Sequence, residues 1–61
     1  MFIEVTWRGE DEKALLNVLN IKSVIPSHDG GAEIEYGLSE TFFTRETYDQ
    51  IKEMLMEVSA S

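Results

Sequence analysis

From Phe2 to Arg8 the chain alternates, with Ile3, Val5 and Trp7 on one face and Glu4, Thr6 and Arg8 on the other. β-Branched and aromatic residues at a period of two predict a half-buried strand. Gly9-Glu10-Asp11-Glu12-Lys13 is polar, breaks the pattern and reads as a turn. Residues 11–19 admit two readings. Ala14, Leu15, Val18 and Leu19 fit one face of a helix begun at Asp11. The alternative is a short strand to Leu16, a tight turn through Asn17 and Asn20, and a new strand from Ile21. Asparagine favours turns over helix interiors because its amide competes for backbone groups, so the second reading is preferred.

Ile21 to Pro26 alternates again, placing Ile21, Ser23 and Ile25 together and Lys22 and Val24 opposite. Pro26 lacks an N–H, so the strand stops there or runs along an edge. Asp29-Gly30-Gly31 is a hairpin signal. Ala32, Ile34 and Tyr36 then alternate with Glu33 and Glu35, apolar inward and acid outward. Gly37-Leu38-Ser39-Glu40 makes a further turn, and Thr41 to Phe43 opens the last strand. Thr44 is the expected N-cap of a helix from about Arg45 to Val58, with Glu46 in its first turn. Tyr48, Ile51, Leu55 and Val58 recur at three- and four-residue spacing and form its apolar stripe. Arg45 and Asp49 stand at i,i+4 as an expected helical pair, and residues 59–61 read as a frayed tail. The expected fold is α+β, a small antiparallel meander of four or five short strands with one C-terminal helix packed on one face.

Sixty-one residues predict one small domain over 1–61, which buries only about 60% of its unfolded surface. Without cysteine, and with no visible metal-ligand spacing, it must gain further burial from self-association or a partner. Apolar runs are too short to span a membrane, so no membrane association is expected. The opening residues MFIEVTWRGE carry no secretion signal, making cytoplasmic residence the expectation. Twelve acids against five bases give a net charge of −7. That balance, with scattered cations, argues against direct binding of nucleic acid.

Ser27-His28-Asp29 has the residue types of a hydrolase triad, but consecutive residues cannot converge on one atom, and they read as turn residues. Paired carboxylates are frequent only because acids are frequent, and nothing suggests a pocket to shift their pKa values. Neither enzymatic activity nor a cofactor is expected. Ile3, Val5, Trp7, Ile34, Tyr36 and the helix stripe suffice for a core. Phe42 and Phe43 are adjacent, so only one can join it. Phe2, Leu38, Phe42 and Met56 have no evident inward assignment, and with Met54 they form a candidate interface, for a homodimer or another protein. An alternative role rests on Glu33 and Glu35 with Glu10, Asp11 and Glu12. Such an acidic face would mimic nucleic acid on a host or defence protein, as phage inhibitors do.

The order of elements resembles the small FlbD/SwrD-type proteins of bacterial flagellar operons and similar short phage proteins. The matching residues are Ile3-Glu4-Val5-Thr6 with Gly9, then Leu16-Asn17 leading to Ile21 and Val24. A glycine-bearing turn follows, and Phe43-x-x-Glu46-Thr47 opens into Gln50-Ile51. The resemblance implies a compact antiparallel sheet with a C-terminal helix and a non-enzymatic role linked to motility.

Overall fold

The first alternating segment becomes β1 (Phe2–Thr6), which pairs antiparallel with β2 (Lys13–Asn17), Ile3 opposite Leu16 and Val5 opposite Ala14. The structure is a computed structural model describing residues 1–60. A 3-10 turn, Val18–Asn20, follows, and the Asn17 side chain caps it by accepting from the Leu19 N–H. Strand–turn–strand is therefore the outcome for residues 11–19, and the asparagines make the turn.

A second sheet runs β3 (Ile21–Pro26), β4 (Ala32–Tyr36), β5 (Glu40–Thr44), all antiparallel. The expected meander is thus divided into sheets of two and three strands. An isolated bridge between Trp7 and Thr44 joins them, with Arg8 N–H donating to the Phe43 carbonyl and Arg45 N–H to that of Thr6. β4 alternates as expected: Ala32 and Ile34 are buried while Glu35 is exposed. In β3 the expected grouping of Ile21 with Ser23 and Ile25 is corrected: Ile21 and Val24 pack against the core. A register shift between Ile21 and Ser23 flips the parity, so Val24 lies opposite Ile34 and turns inward. Ile25 pairs with Glu33 on the outer face and is exposed. A bulge inserts one residue, and one residue exchanges the two faces.

The helix α1 (Tyr48–Ala60) starts three residues later than expected and takes in two residues of the expected frayed tail; the third, Ser61, lies outside the described residues. Its cap is Thr47, not Thr44. The Thr47 hydroxyl accepts from Gln50 N–H at 3.1 Å, while the Gln50 side chain accepts from Thr47 N–H at 2.9 Å. This reciprocal pair is a capping box, a pattern that Thr47-x-x-Gln50 satisfies and Thr44-x-x-Thr47 does not. Thr44 instead ends β5, fully buried, with its hydroxyl 3.0 Å from the carbonyl of Glu46, to which it donates. Arg45 lies ahead of the helix and pairs with Asp11 rather than Asp49. Glu46 is not a first-turn acid either. Its carboxylate accepts from the Thr6 N–H at 2.7 Å and the Thr6 hydroxyl at 2.9 Å.

α1 lies against β3 and β4 and drives Ile51 into the centre of the molecule. Ile51, Ile34, Val5, Ile3, Leu16 and Ala32 form the core, flanked by the half-buried Leu55 and Val58 of the helix stripe. Among the described residues no helix is long and apolar enough to cross a membrane. Gly31 permits the closest approach of main chains, because a Cβ there would overlap the Thr44 carbonyl oxygen.

Two stability measurements check this architecture. Gly31→Ala is expected to cost about 2 kcal/mol or more, since backbone must move. Gly9→Ala, with open space around it, stays within about 0.5 kcal/mol of wild type. Equal thermal midpoints for the two variants would contradict the packing described. Glu46→Ala leaves the Thr6 N–H without its partner and is expected to cost about 2 kcal/mol in denaturant unfolding. A loss below a few tenths would mean that the carboxylate is dispensable.

Candidate functional site

Trp7 and Phe42 come from different sheets and meet at the bridge between them. Their rings stack with centroids 5.1 Å apart and planes inclined by 27°, and Tyr36 packs on Phe42 at 5.5 Å. Of the two adjacent phenylalanines it is Phe42 that joins the core, being opposite Ile34 on β4. Phe43 takes the outer face and is 42% exposed. The Arg8 guanidinium covers one side of its ring, 4.8 Å from the centroid, and also pairs with Asp29.

Beside the stacked rings lies an open cleft of about 350 Å³ lined by Trp7, Gly9, Glu10, Thr41, Phe42 and Phe43. Sequence reasoning gave no sign of it, because its walls come from residues 7–10 and 41–43. The Trp7 indole N–H is buried without an acceptor, an arrangement that costs about 1–3 kcal/mol. Ring stacking, not hydrogen bonding, therefore sets the indole's position. Unsatisfied groups of this kind concentrate at functional positions.

The second surface is the outer side of the β1–β2 hairpin. Trp7 N–H donates to the Glu12 carbonyl and Val18 N–H to that of Met1. These bonds make Ile3–Leu16 and Val5–Ala14 the hydrogen-bonded pairs, so Lys13, Leu15 and Asn17 direct their N–H and C=O away from β1. The Tyr36 hydroxyl takes the Asn17 N–H at 2.9 Å. Beyond it the edge is open: among the described residues β1 is the only strand beside β2. Leu15 is 66% exposed on this strand, diagonal to Phe2, and Met1 and Leu19 are exposed at the same end. Leu38 lies in the β4–β5 turn, almost fully exposed. Met56 is exposed on α1, while Met54 is half-buried and packs against the core. The candidate apolar residues thus divide: Phe2, Leu38 and Met56 remain on the surface, whereas Phe42 and Met54 have inward partners. Met1, Leu15, Leu19, Ile25 and Phe43 are exposed apolar residues outside the candidate set read from the sequence.

Glu33 and Glu35 project from the outer face of β4, while Glu10, Asp11 and Glu12 lie between β1 and β2. Arg8 sits over Phe43, the cross-strand neighbour of Glu33, and Arg45 pairs with Asp11, so cations are interleaved with both groups. Asp49, Glu53 and Glu57 stand at i,i+4 along α1, away from the Ile51 side. In the β3–β4 turn the Ser27 hydroxyl holds the Asp29 carboxyl below its ordinary value, against an opposing effect of desolvation, with Gly31 N–H and Arg8 adding to the lowering. Ser27 and Asp29 both accept from Arg8 Nη1, which is the structural work of the Ser27-His28-Asp29 sequence, and His28 is exposed. Among the described residues no cluster of three or more His, Cys, Asp or Glu is arranged to hold a metal ion.

No family model matches the chain, and neither a curated protein nor a solved structure shows significant similarity to it.

Because the folded Asp29 value lies below the unfolded one, its contribution to stability is complete above the ordinary Asp value of about 3.9 and disappears as pH falls through the folded value. The difference in thermal midpoint between wild type and Asp29→Asn is therefore expected to be constant near neutrality and to shrink below about pH 4. A difference unchanged down to pH 2 would remove the assigned role.

Proposed function

We propose that this chain is a small non-enzymatic protein-interaction module that pairs with a second copy of itself along β2. The observation that carries the reading is the coincidence of an open strand edge with the exposed Met1, Phe2, Leu15 and Leu19 at one corner. An unpaired antiparallel edge offers alternating donors and acceptors to a further strand. If two β2 strands meet antiparallel about Leu15, the Leu15 residues exchange N–H···O bonds, and Lys13 falls opposite Asn17 of the other copy, whose N–H stays with the Tyr36 hydroxyl while its carbonyl can accept. No like charges are brought face to face, since β2 carries one lysine and no carboxylate. β1, β4 and β5 each carry at least one acid.

The four apolar residues leave on the order of 500 Å² exposed per copy, so a two-fold contact buries about 1,000 Å², the lower bound for a specific interface. That size supports a dimer of modest affinity. The non-enzymatic role agrees with what the FlbD/SwrD-type resemblance implies.

Light scattering across a dilution series is expected to give a dimer at tens of micromolar that dissociates on dilution, with a thermal midpoint rising with concentration. Leu15→Glu is expected to raise the dissociation constant at least tenfold, and Met56→Ala to leave it unchanged. A wild-type monomer at 100 µM, or equal effects of the two substitutions, would overturn the reading.

A further inference from the structure

We propose that the cleft between Trp7, Phe42 and Phe43 is a second binding site, specific for an arginine side chain on a partner protein. The argument begins with what the walls offer. Trp7, Phe42 and Phe43 line it with aromatic rings, Phe42 being packed between Trp7 and Tyr36 and one side of Phe43 being covered by Arg8, and the exposed Thr41 and Glu10 stand beside them. Guanidinium is the cation that suits this set: it is planar, weakly hydrated, stacks on aromatic rings and pairs with carboxylates. The molecule already contains one such arrangement, in which Arg8 covers Phe43 and pairs with Asp29. Glu10 would complete an equivalent pair with an arginine arriving from outside.

Neither Arg8 nor Arg45 engages Glu10. Arg8 is committed to Asp29, Ser27 and the Phe43 ring, and Arg45 to Asp11 and the Arg8 carbonyl. Among the described residues Glu10 has no ion-pair partner. The net charge of −7 draws cationic segments towards the surface, adding to encounter rate and making the interaction salt-sensitive. The volume of about 350 Å³ lies at the small end of ligand pockets, fitting a side chain rather than a folded element. This assignment rests on the interaction-module reading but uses the opposite end of the β1–β2 hairpin from the self-pairing corner, so the two fail independently.

Trp7 is the only tryptophan, so its fluorescence reports on the cleft directly. The probes are acetyl-Gly-Arg-Gly-amide and its counterparts carrying citrulline or lysine. The arginine peptide is expected to give a saturable millimolar change, at least tenfold tighter than citrulline and several-fold tighter than lysine. Glu10→Gln is expected to weaken it five- to tenfold without moving the thermal midpoint, and the Trp7 indole N–H resonance should shift in parallel. Equal binding of arginine and citrulline, or of arginine and lysine, would overturn the assignment, as would indifference to Glu10→Gln or the absence of any saturable change. Leu15→Glu is expected to lose self-association and retain peptide binding. Loss of peptide binding in that variant would tie the cleft to the dimer and overturn its independence.

Discussion

Two backbone hydrogen bonds flanking the Trp7–Thr44 bridge, and two more accepted by the Glu46 carboxylate, join the sheets along one seam. A lone two-stranded hairpin is marginal in water, and β1–β2 is such a hairpin. The seam attaches it to the three-stranded sheet where β5 is running out. Thr6 directs its N–H away from β2, towards a position that β5 no longer occupies. Glu46 supplies an oxygen there in place of a strand carbonyl. At the other side the Tyr36 hydroxyl performs the same service for Asn17. Between these two closures the sheets form a trough, which Ile51 fills from α1.

Local features of this arrangement were legible in the sequence. β4 alternates without interruption, its flanking turns carry glycine, and the two asparagines mark the turn between β2 and β3. Residues of this kind act on near neighbours, so their patterns survive in one dimension. The helix start was readable too, because Thr47-x-x-Gln50 is a capping box, but Thr44 offered a competing hydroxyl one turn earlier. What decided between them was burial of Thr44, a tertiary fact. The shift at Lys22 left no mark: a bulge changes parity without changing composition. Glu46 and Thr6 are separated by 40 positions, and no periodicity connects them. The cleft was invisible for the same reason. Its aromatic walls were recognised one by one as spare or core residues, and only the seam brings them together.

Among the described residues the outer edges of β2 and β3 are treated differently. β3 carries a lysine, a register shift and a terminal proline, three features that discourage further pairing. β2 has a lysine at one end but presents Leu15 at its centre. Proteins commonly blunt every exposed edge, so the contrast separates one edge that is protected from one that is available. The acids follow a related logic. Five of the twelve, Glu33, Glu35, Asp49, Glu53 and Glu57, lie on the outer face of β4 and the far side of α1, and none lies on β2.

The seam also has a consequence in time. Ribosomes make the hairpin first, yet the residues that hold it, Thr44 to Glu46, lie three-quarters of the way along the chain. Until they emerge, Ile3, Val5 and Leu16 have no surface to cover them. During synthesis β1 and β2 therefore precede the residues that cover them, and this core can close only once β5 and Ile51 have been made.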